Sequence, residues 1–92
     1  MLEKKKYANG QPTYEQTGDV LTFFYENGNI RAHGDYIDDL MEGEWIFFRK
    51  SGQLWQVGNF KNSQKHGSFI RYDKNDQIEY QEQFNEGKLL KK

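Results

Sequence analysis

A spacing of 24 governs this chain: adding it to a position takes Phe24 to Phe48 to Tyr72, Ile30 to Leu54 to Ile78, and Tyr36 to Phe60 to Phe84. The same interval takes Gly28 to Gly52 to Asp76, Gly34 to Gly58 to Glu82, and Gly43 to Gly67. A period of this length marks a repeat array, in which one supersecondary unit cannot bury its apolar side alone and leans on its neighbours. The expected units run over about 19–42, 43–66 and 67–90, within a single domain of residues 1–92 preceded by a poorly patterned arm at 1–18.

Composition says what those units are made of. Aromatic residues are 16% of the chain and all apolar residues only 35%, so rings rather than aliphatic side chains supply the packing, which favours strands over helices. Thirteen basic and 14 acidic residues are interspersed and leave a net charge of −1, without the electrostatic footprint that nucleic acid requires. Cysteine is absent, which removes disulfides and thiolate zinc sites. The longest apolar run, Trp45 to Phe48, is far too short to span a bilayer, and residues 1–7 lack the apolar centre of a signal peptide. A soluble protein is expected, with a cytoplasmic location favoured.

Within each unit the pattern is that of a hairpin. Val20 to Tyr25 and Ile30 to Tyr36 are rich in β-branched and aromatic residues and flank Asn27-Gly28, a pair suited to a type I′ turn. Such a turn places Leu21 opposite Gly34, Phe23 opposite Ala32 and Tyr25 opposite Ile30, with Thr22, Phe24, Arg31, His33 and Asp35 on the other face. Around Ser51-Gly52 the same arithmetic sets Trp45 against Gly58 and Phe47 against Gln56. Gly58, having no Cβ, lets the Trp45 indole lie flat on its strand. Phe48, Trp55, Ile46 and Val57 then share the opposite face, which makes this the most buried unit. The third unit is weaker, because Arg71, Asp73 and Glu82 stand where apolar residues or glycine stood before. Residues 37–42 and 61–66 read as polar returns between hairpins, with Leu40 and Met41 either tucked under the sheet or forming one helical turn. Most of residues 1–18 reads as loop, although Gly10, lying 24 before Gly34, allows a degenerate unit that adds an edge strand. The whole is expected to be an all-β antiparallel meander of six or more strands, elongated and gently twisted, needing no helix.

Chemical motifs are sparse. Ser51, Ser63 and Ser68 belong to no nucleophile constellation, and His33 and His66 lie in different phases of the repeat with no second ligand at metal spacing. His33 reads as a surface strand residue and His66 as a turn residue. Asp38, Asp39, Glu42 and Glu44 are the densest acidic group, but their spacing does not match a calcium loop and a solvated return explains them. Neither Lys50-Ser51 nor Gly87-Lys88 makes a phosphate cradle. No cofactor, metal or catalytic residue is expected.

The pattern Gly43-x-Trp45-x-x-Phe48-x-x-x-Gly52, followed by Gly58-x-Phe60 and His66-Gly67, resembles the variant MORN repeat of bacterial proteins, many of them called YwqK-type antitoxins. The first unit departs from it with Leu21 in place of the tryptophan, and the third with Phe69 there and Asp76 in place of the turn glycine. The resemblance implies an elongated array of stacked hairpins that binds something and carries no catalytic motif. MORN repeats are linked both to phospholipid membranes and to protein scaffolding.

The rings exceed what a single-layer sheet hides on one face. Either the sheet curls or another segment covers the second face, or a ring-lined patch binds a partner protein. The expected function is therefore a non-catalytic module for protein–protein interaction, antitoxin-like in taking a toxin as one kind of partner, with Trp55, Phe48 and Arg31 as partner-binding candidates. Open sheet edges also invite homodimerisation by strand addition. The alternative is a peripheral phospholipid adaptor using Lys4, Lys5, Lys6, Arg49 and Lys50.

Overall fold

A computed structural model describes residues 6–90, so Lys4 and Lys5 lie outside the described residues. Among the described residues eight strands follow one another in a single antiparallel sheet whose spatial order is the sequence order, and no helix interrupts them. They are β1 (Tyr14–Thr17), β2 (Val20–Phe24), β3 (Ile30–Ile37), β4 (Leu40–Phe48), β5 (Leu54–Lys61), β6 (Gln64–Tyr72), β7 (Ile78–Asn85) and β8 (Lys88–Leu89). The expected meander is what forms. The arm adds β1 as an edge strand paired to β2, rather than remaining mostly loop.

The two kinds of turn exchange the roles expected of them. In the first unit Gly28 N–H donates to the Tyr25 carbonyl, and Tyr25 N–H donates to Asn29, so Tyr25 to Gly28 form a four-residue turn closed by a left-handed Gly28 (φ 93°). Asn27 keeps an ordinary backbone, and its Oδ1 accepts the Asn29 N–H at 2.9 Å. The connection is therefore one residue longer than the type I′ turn expected at Asn27-Gly28. It leaves a bulge, so Ile30 pairs with Phe24 rather than Tyr25. The second unit repeats this turn with Gly52 (φ 98°), and the third with Asp76 (φ 61°), helped by Asp73 Oδ1 accepting from Asn75 and Gln77. Tyr7 and Gly10 bond as Tyr25 and Gly28 do, so Gly10 corresponds to the turn residue Gly28 and not to Gly34.

Type I′ geometry appears instead at the returns. Asp38 and Asp39 (φ 52° and 65°) and Asn62 and Ser63 (φ 52° and 64°) are consecutive left-handed pairs, and the strands pair up to their flanks at Ile37–Leu40 and Lys61–Gln64. The six-residue returns thus shrink to two residues, and Leu40 and Met41 belong to β4, with Met41 packed against the core. A left-handed aspartate costs more than glycine in such a turn. Asp39→Gly is expected to raise stability by about 1 kcal/mol, measured by urea unfolding; a decrease would contradict the turn geometry.

Register settles which residues share a face. Leu21–Gly34 and Phe23–Ala32 pair as expected, as do Trp45–Gly58 and Phe47–Gln56. On the front face rings run in contact across the sheet, Tyr14 to Phe23 to Trp45 to Phe47 to Phe60 to Phe69 to Phe84, at centroid separations of 5.3 to 6.5 Å. Leu21, Trp45 and Phe69 are at most 2% exposed beneath this cover, although the sheet is a single layer.

That burial depends on glycine, but not on the glycine the sequence suggests. Trp45 pairs with Gly58, yet its ring lies on Gly34 of the preceding unit: a Cβ there would stand 2.5 Å from Cγ, Cδ1 and Cδ2 of the indole. Gly58 in turn receives Phe69, whose Cε2 would lie 2.3 Å from an added Cβ. Each ring therefore docks one unit back. The indole N–H donates to the Asp35 carbonyl at 2.9 Å, which fixes the ring across the inter-unit seam. A bulge beginning at left-handed Gly43 (φ 69°) lets β4 turn its tryptophan onto β3, and Gly67 (φ 102°) does the same for Phe69 on β5.

A second seam runs along the turns. Tyr7 and Tyr25 donate their hydroxyls to the carbonyls of Phe24 and Phe48, both at 2.7 Å, and Arg49 Nη2 donates to that of Tyr72 at 3.0 Å. These bonds tie each turn to the next and hold the edges of the front face in line.

Candidate functional site

Near each hairpin turn the bulge redirects one residue. Phe47 faces Gln56 and Phe48 faces Leu54, which leaves Trp55 as the extra residue on β5. A bulge re-aims such a residue, and Trp55 turns to the front, although strict alternation would send it to the back. The contact that places it there is Arg71, whose Cζ lies 4.9 Å from the centroid of the Trp55 ring. Arg31 is the matching extra residue of β3 and likewise reaches the front, 5.7 Å from the Phe23 centroid.

Phe48 does not join them. It remains on the back, half-buried, with its ring stacked on His33 at 5.9 Å and 24°. The structure therefore brings Trp55 and Arg31 to one face, on different strands and against different partners, and puts Phe48 on the other. His33 is a half-buried strand residue. His66 lies within β6 rather than in a turn, and its Nδ1 accepts the Glu86 N–H at 3.0 Å.

Around Trp55 the front carries a compact group of rings and polar atoms. Arg71 Nε and Nη2 both donate to Gln56 Oε1, at 3.2 and 3.0 Å, and the guanidinium carbon lies 5.0 Å from the Tyr80 centroid. Gln56, Arg71 and Tyr80 are successive partners across β5, β6 and β7, so backbone pairing sets their spacing. The Tyr80 hydroxyl donates to Glu82 on its own strand. All four of Trp55, Gln56, Arg71 and Tyr80 are half-buried. Such ring and cation contacts contribute about 0.5–1 kcal/mol each at exposed sites, and their larger effect here is to restrict the guanidinium to one position. A third cation on this face besides Arg71 and Arg31, Lys65, has its Nζ 5.1 Å from the Phe69 centroid and 4.9 Å from that of Phe84, toward the return side.

Gln56, Arg71 and Tyr80 are not singled out by the sequence. The available signal is the break at Arg71, where Phe23 and Phe47 stand in the other units; taken alone, that break reads as decay of a terminal repeat. Register turns it into a site.

The remaining candidates have structural work. Arg49 is half-buried, donates to the Tyr72 carbonyl, and has its Nε buried without a partner. Lys50 is exposed, and its carbonyl accepts from the Asn27 and Asn29 amides. Lys6 pairs with Pro12 in an isolated bridge. Among the acidic residues, Glu42 Oε2 accepts the Asn62 N–H at 2.9 Å and so anchors a return. Among the described residues no three of His, Asp and Glu gather where a metal could be held.

Compared with known proteins, the sequence matches the MORN repeat variant family over residues 20–38, 41–62 and 65–86. The three matched stretches fall on β2–β3, β4–β5 and β6–β7, one hairpin each. No curated protein and no solved structure matches it.

Proposed function

The chain belongs to the MORN repeat variant family, whose repeats are generally modules for binding proteins or lipids, and we propose that it is a non-catalytic module that binds a protein partner through the front of the sheet beside the hairpin turns. One observation carries this reading: the bulge on β5 lifts Trp55 out of the expected alternation and sets it against Arg71, which also meets Tyr80, on paired strands. Tryptophan, tyrosine and arginine are the residues that most often dominate binding energy. Here they are half-buried, so part of their ordering cost is met before any partner arrives. A toxin polypeptide is one form such a partner takes in the antitoxin version of this reading. The phospholipid alternative is less favoured because Arg49 spends its guanidinium on a neighbouring turn.

Affinity capture from the source cell, read by mass spectrometry, tests the proposal when three baits are compared. Wild type and Phe48→Ala are expected to retain the same defined protein, whereas Trp55→Ala loses at least about tenfold in affinity, the size of a hot-spot truncation, while remaining folded by circular dichroism. Equal capture by all three baits, or flotation with anionic vesicles in place of a protein, would overturn it.

A further inference from the structure

Arg71 departs from its own repeat at some cost. The positions 24 and 48 residues before it are Phe47 and Phe23, both members of the front-face row of rings, and a half-buried guanidinium in such a row gives up hydration that a ring does not need. An acidic neighbour would offset that loss. Yet among the described residues the only ion pair is Lys61–Glu86 at 3.6 Å, and Glu79 and Glu82 on the adjoining β7 make none with Arg71. Glu82 accepts the Tyr80 hydroxyl instead. The charge is thus held in place by Gln56, Trp55 and Tyr80, with no ion-pair partner among the described residues.

The way it is held decides what it can take. Gln56 occupies the edge formed by Nε and Nη2, so of the five N–H donors of a guanidinium those at the outer end, shared by Nη1 and Nη2, have no acceptor among the described residues. A planar carboxylate matches that end with two parallel hydrogen bonds. Charge favours a monoanion over a phosphate dianion, because the other cations described on this face stand apart from Arg71: Lys65 lies six residues away along β6, roughly 20 Å at strand rise, and Arg31 lies three strands away, roughly 14 Å at strand spacing, each against its own rings.

We propose that Arg71, framed by Trp55, Gln56 and Tyr80, is a carboxylate-recognition site that receives an acidic side group or the terminal carboxylate of the protein partner. This rests on the interaction reading above and assigns that surface its chemistry. The repeat itself supplies a suitable variant. Arg71→Phe restores the residue found at Phe23 and Phe47, so it removes the charge while keeping the ring row intact.

The Arg71 Nε–H and Trp55 indole N–H signals are followed by proton–nitrogen NMR while the full-length protein is titrated with four probes. These are acetyl-Gly-Glu-Gly-amide, acetyl-Gly-Gln-Gly-amide, acetyl-Gly-Gly-Gly with a free carboxyl end, and inorganic phosphate. A saturable shift with a Kd of about 1–10 mM is expected for at least one carboxylate peptide, and the arm that responds identifies the source. The glutamine peptide is expected to give none, and Arg71→Phe is expected to abolish the indole response with the Tm unchanged or higher. Silence toward both carboxylates, a response that survives Arg71→Phe, or tighter binding of phosphate than of either peptide would overturn the proposal. A partner captured equally well by wild type and Arg71→Phe would remove this site while leaving the interaction reading in place.

Discussion

Replacing Trp45 with alanine lowers the stability of the protein by about 4 kcal/mol, as expected for truncating a fully buried tryptophan, and is the largest single effect anticipated. The ring is 0% exposed although the described residues form a single sheet layer, so its cover comes from the side chains around it on that face. Its neighbours Leu21, Ala32, Phe23, Tyr36 and Met41 would lose their common packing surface, and the Asp35 carbonyl would lose its indole donor. A domain of this size has only about 5–10 kcal/mol to spare, and each kilocalorie shifts the Tm by about 4–8 °C. The Tm should therefore fall by roughly 16–32 °C, with urea unfolding giving the matching free energy. A loss below about 1 kcal/mol would mean that the ring row is not the core.

The second large effect comes from adding one methyl group. Gly34→Ala places a Cβ 2.5 Å from three atoms of the Trp45 indole, a distance that real Cβ atoms essentially never show. The ring cannot lift without giving up its bond to the Asp35 carbonyl, so the cost should reach about 3 kcal/mol, at the upper end for overpacking. What identifies the cause is a double-mutant cycle. In the Trp45→Ala background the added methyl meets no ring, and most of its penalty should vanish, a coupling of about 2 kcal/mol or more between residues of successive units. Simple additivity would contradict the inter-unit seam. The same reasoning pairs Gly58 with Phe69, where the approach is 2.3 Å.

These substitutions also mark how far a linear reading reaches. The pairing of Trp45 with Gly58 follows from the hairpin arithmetic and is present, but the indole rests on Gly34 instead. The reason is that a ring can lean toward either neighbouring strand, and the bulge at Gly43 tips β4 toward the unit before it. Terminal departures then make sense. Leu21 occupies the ring position of the first unit, where its register partner on the preceding strand β1 is Gln16 rather than glycine, and Glu82 replaces the glycine of the third, where no ring of the described residues docks. Asn27-Gly28 misleads for a different reason. The pair suits two turn types, and the longer one, closed by a single left-handed residue, is the turn that all three units share.

The candidate site was less legible than the fold. Trp55 and Arg31 stand out as residue types, but a period of two assigns them to the back, and only the single inserted residue at each bulge turns them forward. Phe48 shows the converse, since it obeys the alternation and stays behind the sheet against His33. Arg71 is visible in the sequence only as an exception.

By itself the sequence determined the three hairpin units, the antiparallel meander and most of the register within each hairpin. All of these follow from local spacing, because each hairpin closes over a short stretch of residues and repeats at a constant interval. Only the tertiary structure decided which glycine receives which ring, which face Trp55 occupies, and that Gln56, Trp55 and Tyr80 converge on Arg71. Those choices depend on bulges and on contacts between successive units, where one added residue reverses the direction of a ring and the energy that selects it comes from the neighbouring repeat.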